Sequence, residues 1–185
     1  MTTLLIGAGA ADEACTAPRT GGLPLLPADT AWPTCSECDA PQQFIAHLPL
    51  TDGPALEVFM CANDPGMCDA WRSGSGANAV LLAADDVVPL NPPDTGVTRL
   101  DEVTGLSLVV SDAVYDWPLP ENALGQLGGE PAWLQHDETP RCADCGDATE
   151  FAAQLEEHGS INFGSGAGYV FVCRPCERGA FLFQC

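Results

Sequence analysis

The chain of 185 residues contains no lysine, six arginines and three histidines, against 26 aspartates and glutamates. Its formal charge of −20 repels polyphosphate, whose binding depends on cationic neutralisation. The expected partner is therefore a basic protein or peptide and not nucleic acid. No run approaches the roughly 20 apolar residues of a membrane-spanning helix, so no membrane association is expected. The start, Met1-Thr2-Thr3-Leu4-Leu5-Ile6-Gly7, has neither the basic n-region nor the long apolar run of a secretory leader. Catalytic equipment is equally sparse: there is no G-x-S-x-G, no Cys–His pairing and no glycine loop followed by lysine. Gly7-Ala8-Gly9 imitates a dinucleotide fingerprint, but it lacks the third glycine, and Pro18 prevents a long helix behind it.

Cysteine, by contrast, is abundant. Eight of the ten cysteines form two similar sets. The first is Cys35, Cys38, Cys61 and Cys68; the second is Cys142, Cys145, Cys173 and Cys176. A C-x-x-C on a tight turn holds two thiolates about one tetrahedron edge apart, and two facing turns close a Cys₄ site of the structural zinc type. The second set fits that template, whereas the first carries a longer C-x₆-C half. Two zinc ions per chain, held by thiolates in a reducing cytoplasm, are therefore expected in preference to disulfides. Cys15 and Cys185 belong to neither set and read as free thiols.

The surroundings of the cysteines repeat as well. Gly21-Gly22-Leu23-Pro24 and Gly128-Gly129-Glu130-Pro131 each begin fourteen residues before a C-x-x-C. Phe44 and Phe151 each follow one by six residues. Val58-Phe59-Met60-Cys61 and Val170-Phe171-Val172-Cys173 close matching apolar runs, and a last apolar stretch follows each, 79–82 and 180–183. The reading is an internally duplicated unit of roughly sixty residues, too small to be stable alone without a metal. The first repeat is placed at 1–83, a connecting segment at 84–127 and the second repeat at 128–185. The predicted fold class is α+β and β-rich, with two zinc-ribbon-like Cys₄ turns. Strands are expected at Leu4–Ile6, 44–48, 56–61, Val97–Leu100, Leu106–Val110, 149–155 and 169–173, with a short helix near 121–127.

Other candidate residues fall short of a catalytic constellation. His47 stands where the second copy has Gln154, a substitution that suits a buried hydrogen-bonding side chain. His136 and His158 lie in polar loops. Asp85-Asp86 and Glu156-Glu157 are adjacent pairs whose side chains diverge on a strand and are expected to be solvated. Trp32, Trp71, Trp117 and Trp133 lie in proline- or glycine-rich loops, where aromatics can pave a peptide groove or cap a small core.

The phrase GGLPLLPADTAWPTCSECDAPQQFIAHLPL resembles the glycine-proline, Trp-Pro and Phe-x-x-Gln-Leu pattern of bacterial YwqG-like proteins, with His47 at the glutamine position. FMCANDPGMC resembles the spaced cysteines of the distantly similar programmed cell death protein 2 group. The ending GYVFVCRPCERGAFLFQC is similar to the terminus of zinc-bearing YwqG-like members. The resemblance implies a duplicated β-rich α+β unit in which the cysteine turns are metal-binding insertions. It also implies a function by analogy, because the eukaryotic group chaperones a basic ribosomal protein. No family catalytic residues map onto this chain. The functional expectation is a zinc-stabilised, acidic protein-binding module, chaperone-like for a basic polypeptide. The alternatives are an enzyme or small-ligand protein using the cleft between repeats, and a toxin-neutralising partner.

Overall fold

Runs such as Phe44-Ile45-Ala46 and Val170-Phe171-Val172 combine aromatic and β-branched residues between glycine- and proline-rich loops, and such runs fit a pleated, buried surface. In the computed structural model, which describes residues 2–83, 86–112 and 114–185, they become strands. The elements are β1 (Thr2–Ala10), β2 (Arg19–Thr20), β3 (Leu25–Leu26), β4 (Gln43–Leu48), β5 (Ala55–Met60), β6 (Asn78–Ala83), β7 (Val88–Pro89), β8 (Thr104–Ser111), β9 (Ala123–Leu127), β10 (Glu150–Glu156), β11 (Ala167–Cys173) and β12 (Arg178–Gln184). Asp85 of the Asp85-Asp86 pair lies outside the described residues.

Ten strands form one antiparallel sheet in the order β12-β11-β10-β9-β1-β8-β2-β4-β5-β6, while β3 and β7 pair separately. The two ends of that order approach each other. The Phe183 amide donates to the Trp71 carbonyl, and a Cβ on Gly179 would stand 2.5 Å from Val80. The sheet is thus a nearly closed barrel. Its centre is an exchange: β1 ladders on β9, and β8 ladders on β2, so strands from opposite ends of the chain interleave. Residues 104–127, between the cysteine-bearing stretches, supply two strands of the main sheet.

The fold is all-β among the described residues, which corrects the α+β expectation. The short helix expected near 121–127 is strand β9, laddered on both β1 and β10. Gly125 decides the matter. Its φ is +150°, and a Cβ there would lie 2.1 Å from the Gln154 carbonyl oxygen, so the residue is fitted to a close strand approach that a helix would forfeit. Val97–Leu100 forms no regular strand either; it runs beside β4, where the Phe44 amide donates to the Thr98 carbonyl.

The strands of each cysteine-bearing half are buried on both faces. Ile45, Val58, Val170 and Phe181 meet in the interior with Leu5 and Leu155. Their neighbours point outward and are covered by the glycine-proline loops. Phe44 and Phe59 pack beneath Leu26 and Trp32; Tyr169 and Phe171 pack beneath Trp133 and Leu134. Each of these buried aromatics contributes about 2–3 kcal/mol of apolar burial. The paired glycines make the loops possible: Gly21, Gly22, Gly128 and Gly129 all have positive φ. Gly21 and Gly128 donate to the carbonyls of Ile45 and Ala152 in matching fashion.

Glu156 was expected in solvent, yet it is buried. Tyr115 Oη donates to its Oε1 at 2.8 Å and Gln154 Nε2 at 2.9 Å. Burial raises its pKa, partly offset by those two donors. The folded chain therefore holds this proton to higher pH than the unfolded chain does. Stability falls as pH rises from the unfolded carboxylate value of 4.5 and levels off once the folded pKa is passed. Glu156→Gln keeps one acceptor for both donors and removes the charge. It is expected to stabilise the protein at pH 8 and to lose that advantage at pH 4, as read by urea unfolding at both values.

Candidate metal centres

The sequence places each C-x-x-C immediately before a strand whose antiparallel neighbour ends on the third cysteine. Gln43 of β4 sits opposite Met60 of β5, so the first turn lies beside Cys61. Glu150 of β10 sits opposite Val172 of β11, so the second turn lies beside Cys173. Both turns share one construction. The Cys35 amide donates to Ala40 and the Cys142 amide to Asp147, at 2.9 and 2.8 Å; Asp39 and Gly146 donate back to the cysteine carbonyls at 3.0 and 2.9 Å. An isolated bridge closes each turn, Thr34 to Pro41 and Arg141 to Ala148. Asp39 (φ +57°) and Gly146 (φ +77°) occupy the same left-handed position, which aspartate tolerates better than most residues with a Cβ.

The fourth ligands arrive by different routes. Cys176 lies in the short turn between β11 and β12, whereas Cys68 is carried by the long loop between β5 and β6. The amide of Cys68 donates to the Asp64 carbonyl, and the amide of Asp69 donates to Glu37 Oε1 at 2.9 Å. These contacts fold the C-x₆-C segment back over the first turn. As a result Cys35, Cys38, Cys61 and Cys68 form one cluster, and Cys142, Cys145, Cys173 and Cys176 a second. Within each cluster the sulfur atoms lie within 4.8 Å of one another. The Cys38–Cys61 and Cys145–Cys173 sulfurs stand 3.6 and 3.7 Å apart. That is far beyond the ~2.05 Å of a disulfide and close to the ~3.8 Å edge of a tetrahedron with 2.3 Å metal–sulfur bonds.

Chemically, each cluster calls for a cation. Backbone amides of Cys145 and Asp144 lower the Cys142 thiol to about 7, while hydrogen bonding from Cys145 and Cys173 pushes the Cys176 thiol up to about 12. One thiolate forms readily and its neighbours then resist ionisation; a divalent ion at the centre removes that resistance. All four corners are protein sulfur, so an ion held by all four would have no open position for substrate. The metal-binding capacity is common to several soft and borderline divalent ions. Cys15 and Cys185 stand outside both clusters.

The tryptophans do not gather into one site. Trp32 Nε1 donates to the Gln42 carbonyl at 2.8 Å, and its ring meets Phe59 edge-on at 5.4 Å. Trp133 lies 4.6 Å from Tyr169 and 6.0 Å from Phe171, centroid to centroid. These two cap the outer cores of their halves. Trp71 is partly exposed and lines an apolar cavity of about 240 Å³ with Met60, Cys68, Phe183 and Cys185. Trp117 is exposed near the end of β8.

A buried charged cluster escaped the sequence reading. Arg19, His47 and Glu57 sit opposite one another across β2, β4 and β5, and Arg19 and Glu57 are fully buried. The matching positions in the other half, across β9, β10 and β11, are Gln126, Gln154 and Tyr169, all neutral. Arg19 donates to the carbonyls of Glu13, Cys15 and Leu23, which staples the 13–23 loop to the barrel. His47 Nδ1 lies 2.5 Å from Glu57 Oε1, and its Nε2 lies 3.2 Å from the Thr16 carbonyl. A carbonyl only accepts, so Nε2 must carry hydrogen. The Nδ1–Oε1 contact then holds one proton. With His47 3% exposed, the pair is sealed from substrate and serves the fold. The available signal was Glu57 itself, a lone charge inside the apolar run Leu56–Met60.

Comparison with known proteins adds little to the geometry. Over 61 residues, 32% of this chain, the sequence is 38% identical to the uncharacterised protein YpfL of Salmonella typhimurium strain LT2. The matched stretch spans 14% of that protein's length. No family model matches the chain, and no solved structure matches it.

Proposed function

We propose that this protein is a zinc-stabilised, acidic protein-binding module of the cytoplasm that holds a basic polypeptide in the manner of a dedicated chaperone. Zinc suits the two Cys₄ clusters by ligand type, number and spacing. Filled with zinc, each site would carry a further charge of about −2. The matched cysteine turns and the matched strands on either side of the β1–β8 pair support a duplicated unit, as does the YwqG-like phrase in the sequence.

The carrying observation is the distribution of positive charge. Arg19 is buried. Arg72, Arg99, Arg174 and Arg178 are paired with Asp69, Glu13, Glu150 and Asp144, and Arg141 is bound to the Gly146 carbonyl. The chain's few cations are thus buried, paired or hydrogen-bonded within the chain, and most of its 26 carboxylates have no arginine partner, which leaves a strongly negative field. Such a field steers a basic partner and rejects acidic ones.

The test is capture from nuclease-treated lysate on the zinc-loaded protein at low salt, followed by mass spectrometry of what leaves in about 0.5 M salt, where charges are screened beyond about 4 Å. One basic protein recovered near stoichiometry is the expected result. Retention that is indifferent to salt, or a captured set with no basic bias, would overturn the proposal.

A further inference from the structure

The strand β8 is covered unequally on its two sides. On the inner side it ladders with β1 from Leu106 to Val110 and beyond. On the outer side β2 reaches only Gly105 and Thr104, and the Leu106 amide donates to the Pro18 carbonyl. Past that point, no described strand ladders on the outer edge of Leu108-Val109-Val110. Amides alternate sides along a strand, so the N–H groups of Leu108 and Val110 face the same outer side as that of Leu106. The side chains here are apolar yet exposed: Leu108 and Val109 are each 47% exposed and Val110 66%. Val114 and Trp117 continue the exposed apolar surface beyond the strand. In the cysteine-bearing strands the same residue types are sealed, as Val58 and Val170 show.

An open edge with β-branched side chains is a template for another strand, and proteins usually blunt such edges with lysine, proline or a bulge. None of these interrupts residues 106–110. The flanks indicate what the edge accepts. Asp101 and Glu102 precede the strand, Asp112, Asp116 and Glu121 follow it, and all five are exposed. No arginine occurs between Arg99 and Arg141 in sequence, and Arg174, which lines a cavity with Leu108, is paired with Glu150. A second copy of this chain would bring the same carboxylates and its own charge of −20 against these, so charge disfavours self-pairing.

We infer that the outer edge of β8 at Leu108–Val110 is a strand-addition site for an extended basic segment. Main-chain hydrogen bonds to Leu108 and Val110 would supply affinity, apolar residues of the guest would cover Leu108, Val109 and Val110, and its cations would meet the flanking carboxylates. The inference rests on the basic-partner reading above and gives it a location.

The probe is a ten-residue peptide of alternating valine and arginine, titrated into the full, zinc-loaded chain at low salt. Binding is read by peptide anisotropy and by amide hydrogen exchange. On saturation, exchange at Leu108 and Val110 is expected to slow by about tenfold or more. A peptide N-methylated at every second residue is expected to bind at least about tenfold more weakly, and so is the native peptide to Val110→Pro, which removes one outward donor and spares the β1 ladder. Where that variant does not fold, the N-methylated peptide against the native chain gives the same reading. Binding that protects other amides and leaves Leu108 and Val110 unchanged would overturn the edge assignment while leaving the basic-partner reading in place. Absence of peptide binding at low salt would overturn both. Protection that appears without peptide and grows with protein concentration would show the occupant to be a second copy and overturn the inference.

Discussion

Cys142→Ser is expected to halve the metal content of the chain, from two ions to about one, and to loosen the β11–β12 end of the barrel while the first half keeps its ion. The physical reason lies in the position of the second cluster. Cys142 and Cys145 occupy a turn that would otherwise be held chiefly by three backbone hydrogen bonds, Cys142 to Asp147, Gly146 to Cys142 and Thr149 to Pro140. Cys173 and Cys176 sit at the tip of a hairpin whose far strand ends at residue 184. A bound metal would tie these elements together, and its binding free energy would become folding free energy. A serine oxygen is a poor substitute for a thiolate toward a borderline-soft ion, and three remaining thiolates leave an open corner. Metal analysis after gel filtration gives the stoichiometry, and chemical denaturation gives the stability. The loss is expected to be several kcal/mol, on the scale of other structural sites. The matching change Cys35→Ser should empty the first cluster instead. Unchanged metal content in Cys142→Ser would refute the four-cysteine site.

Arg19→Met is expected to cost about 3–5 kcal/mol, the range for removing one member of a buried charged group. The guanidinium satisfies three carbonyls of the 13–23 loop and lies beside Glu57. Among the described residues Glu57 Oε2 has no close hydrogen-bond partner, and without the arginine its carboxyl would have only His47 and the Leu25 backbone to oppose the cost of burial. Burial holds the Glu57 pKa above the usual carboxylate range even with His47 and Arg19 present. Glu57→Gln should therefore be more favourable in the Arg19→Met background than in the native protein by at least about 1 kcal/mol, a non-additivity that marks direct coupling. Urea midpoints of the native protein and the variants decide the point. A loss below about 1 kcal/mol in Arg19→Met would show that the loop is not held by this residue.

These two experiments bear on features that differed greatly in legibility. The eight cysteines were readable because metal ligation demands particular residues at short fixed spacings, and a C-x-x-C turn is a local object. Cys68 was less legible, since its approach depends on Asp64 and Glu37 folding a long loop back, which spacing alone does not encode. The Arg19–His47–Glu57 cluster was not legible as a unit, because its members stand on three strands and meet only through lateral register. Glu156 was misread for the same reason: adjacency in sequence suggested a solvated pair, and Tyr115 and Gln154 placed it inside.

By itself the sequence determined the acidic character, the two cysteine sets, the doubled glycine-proline loops and most of the strands, all of which follow from residue chemistry within a dozen or so neighbours. Tertiary structure decided the rest. It turned residues 121–127 from an expected helix into β9, because a place between β1 and β10 offers two ladders and a close approach that only glycine fits. It also crossed β1 and β8 between the halves and left the outer edge of β8 at Leu108–Val110 without a laddered strand among the described residues. Strand pairing is a non-local contest settled by which edges meet, and no local pattern states its outcome.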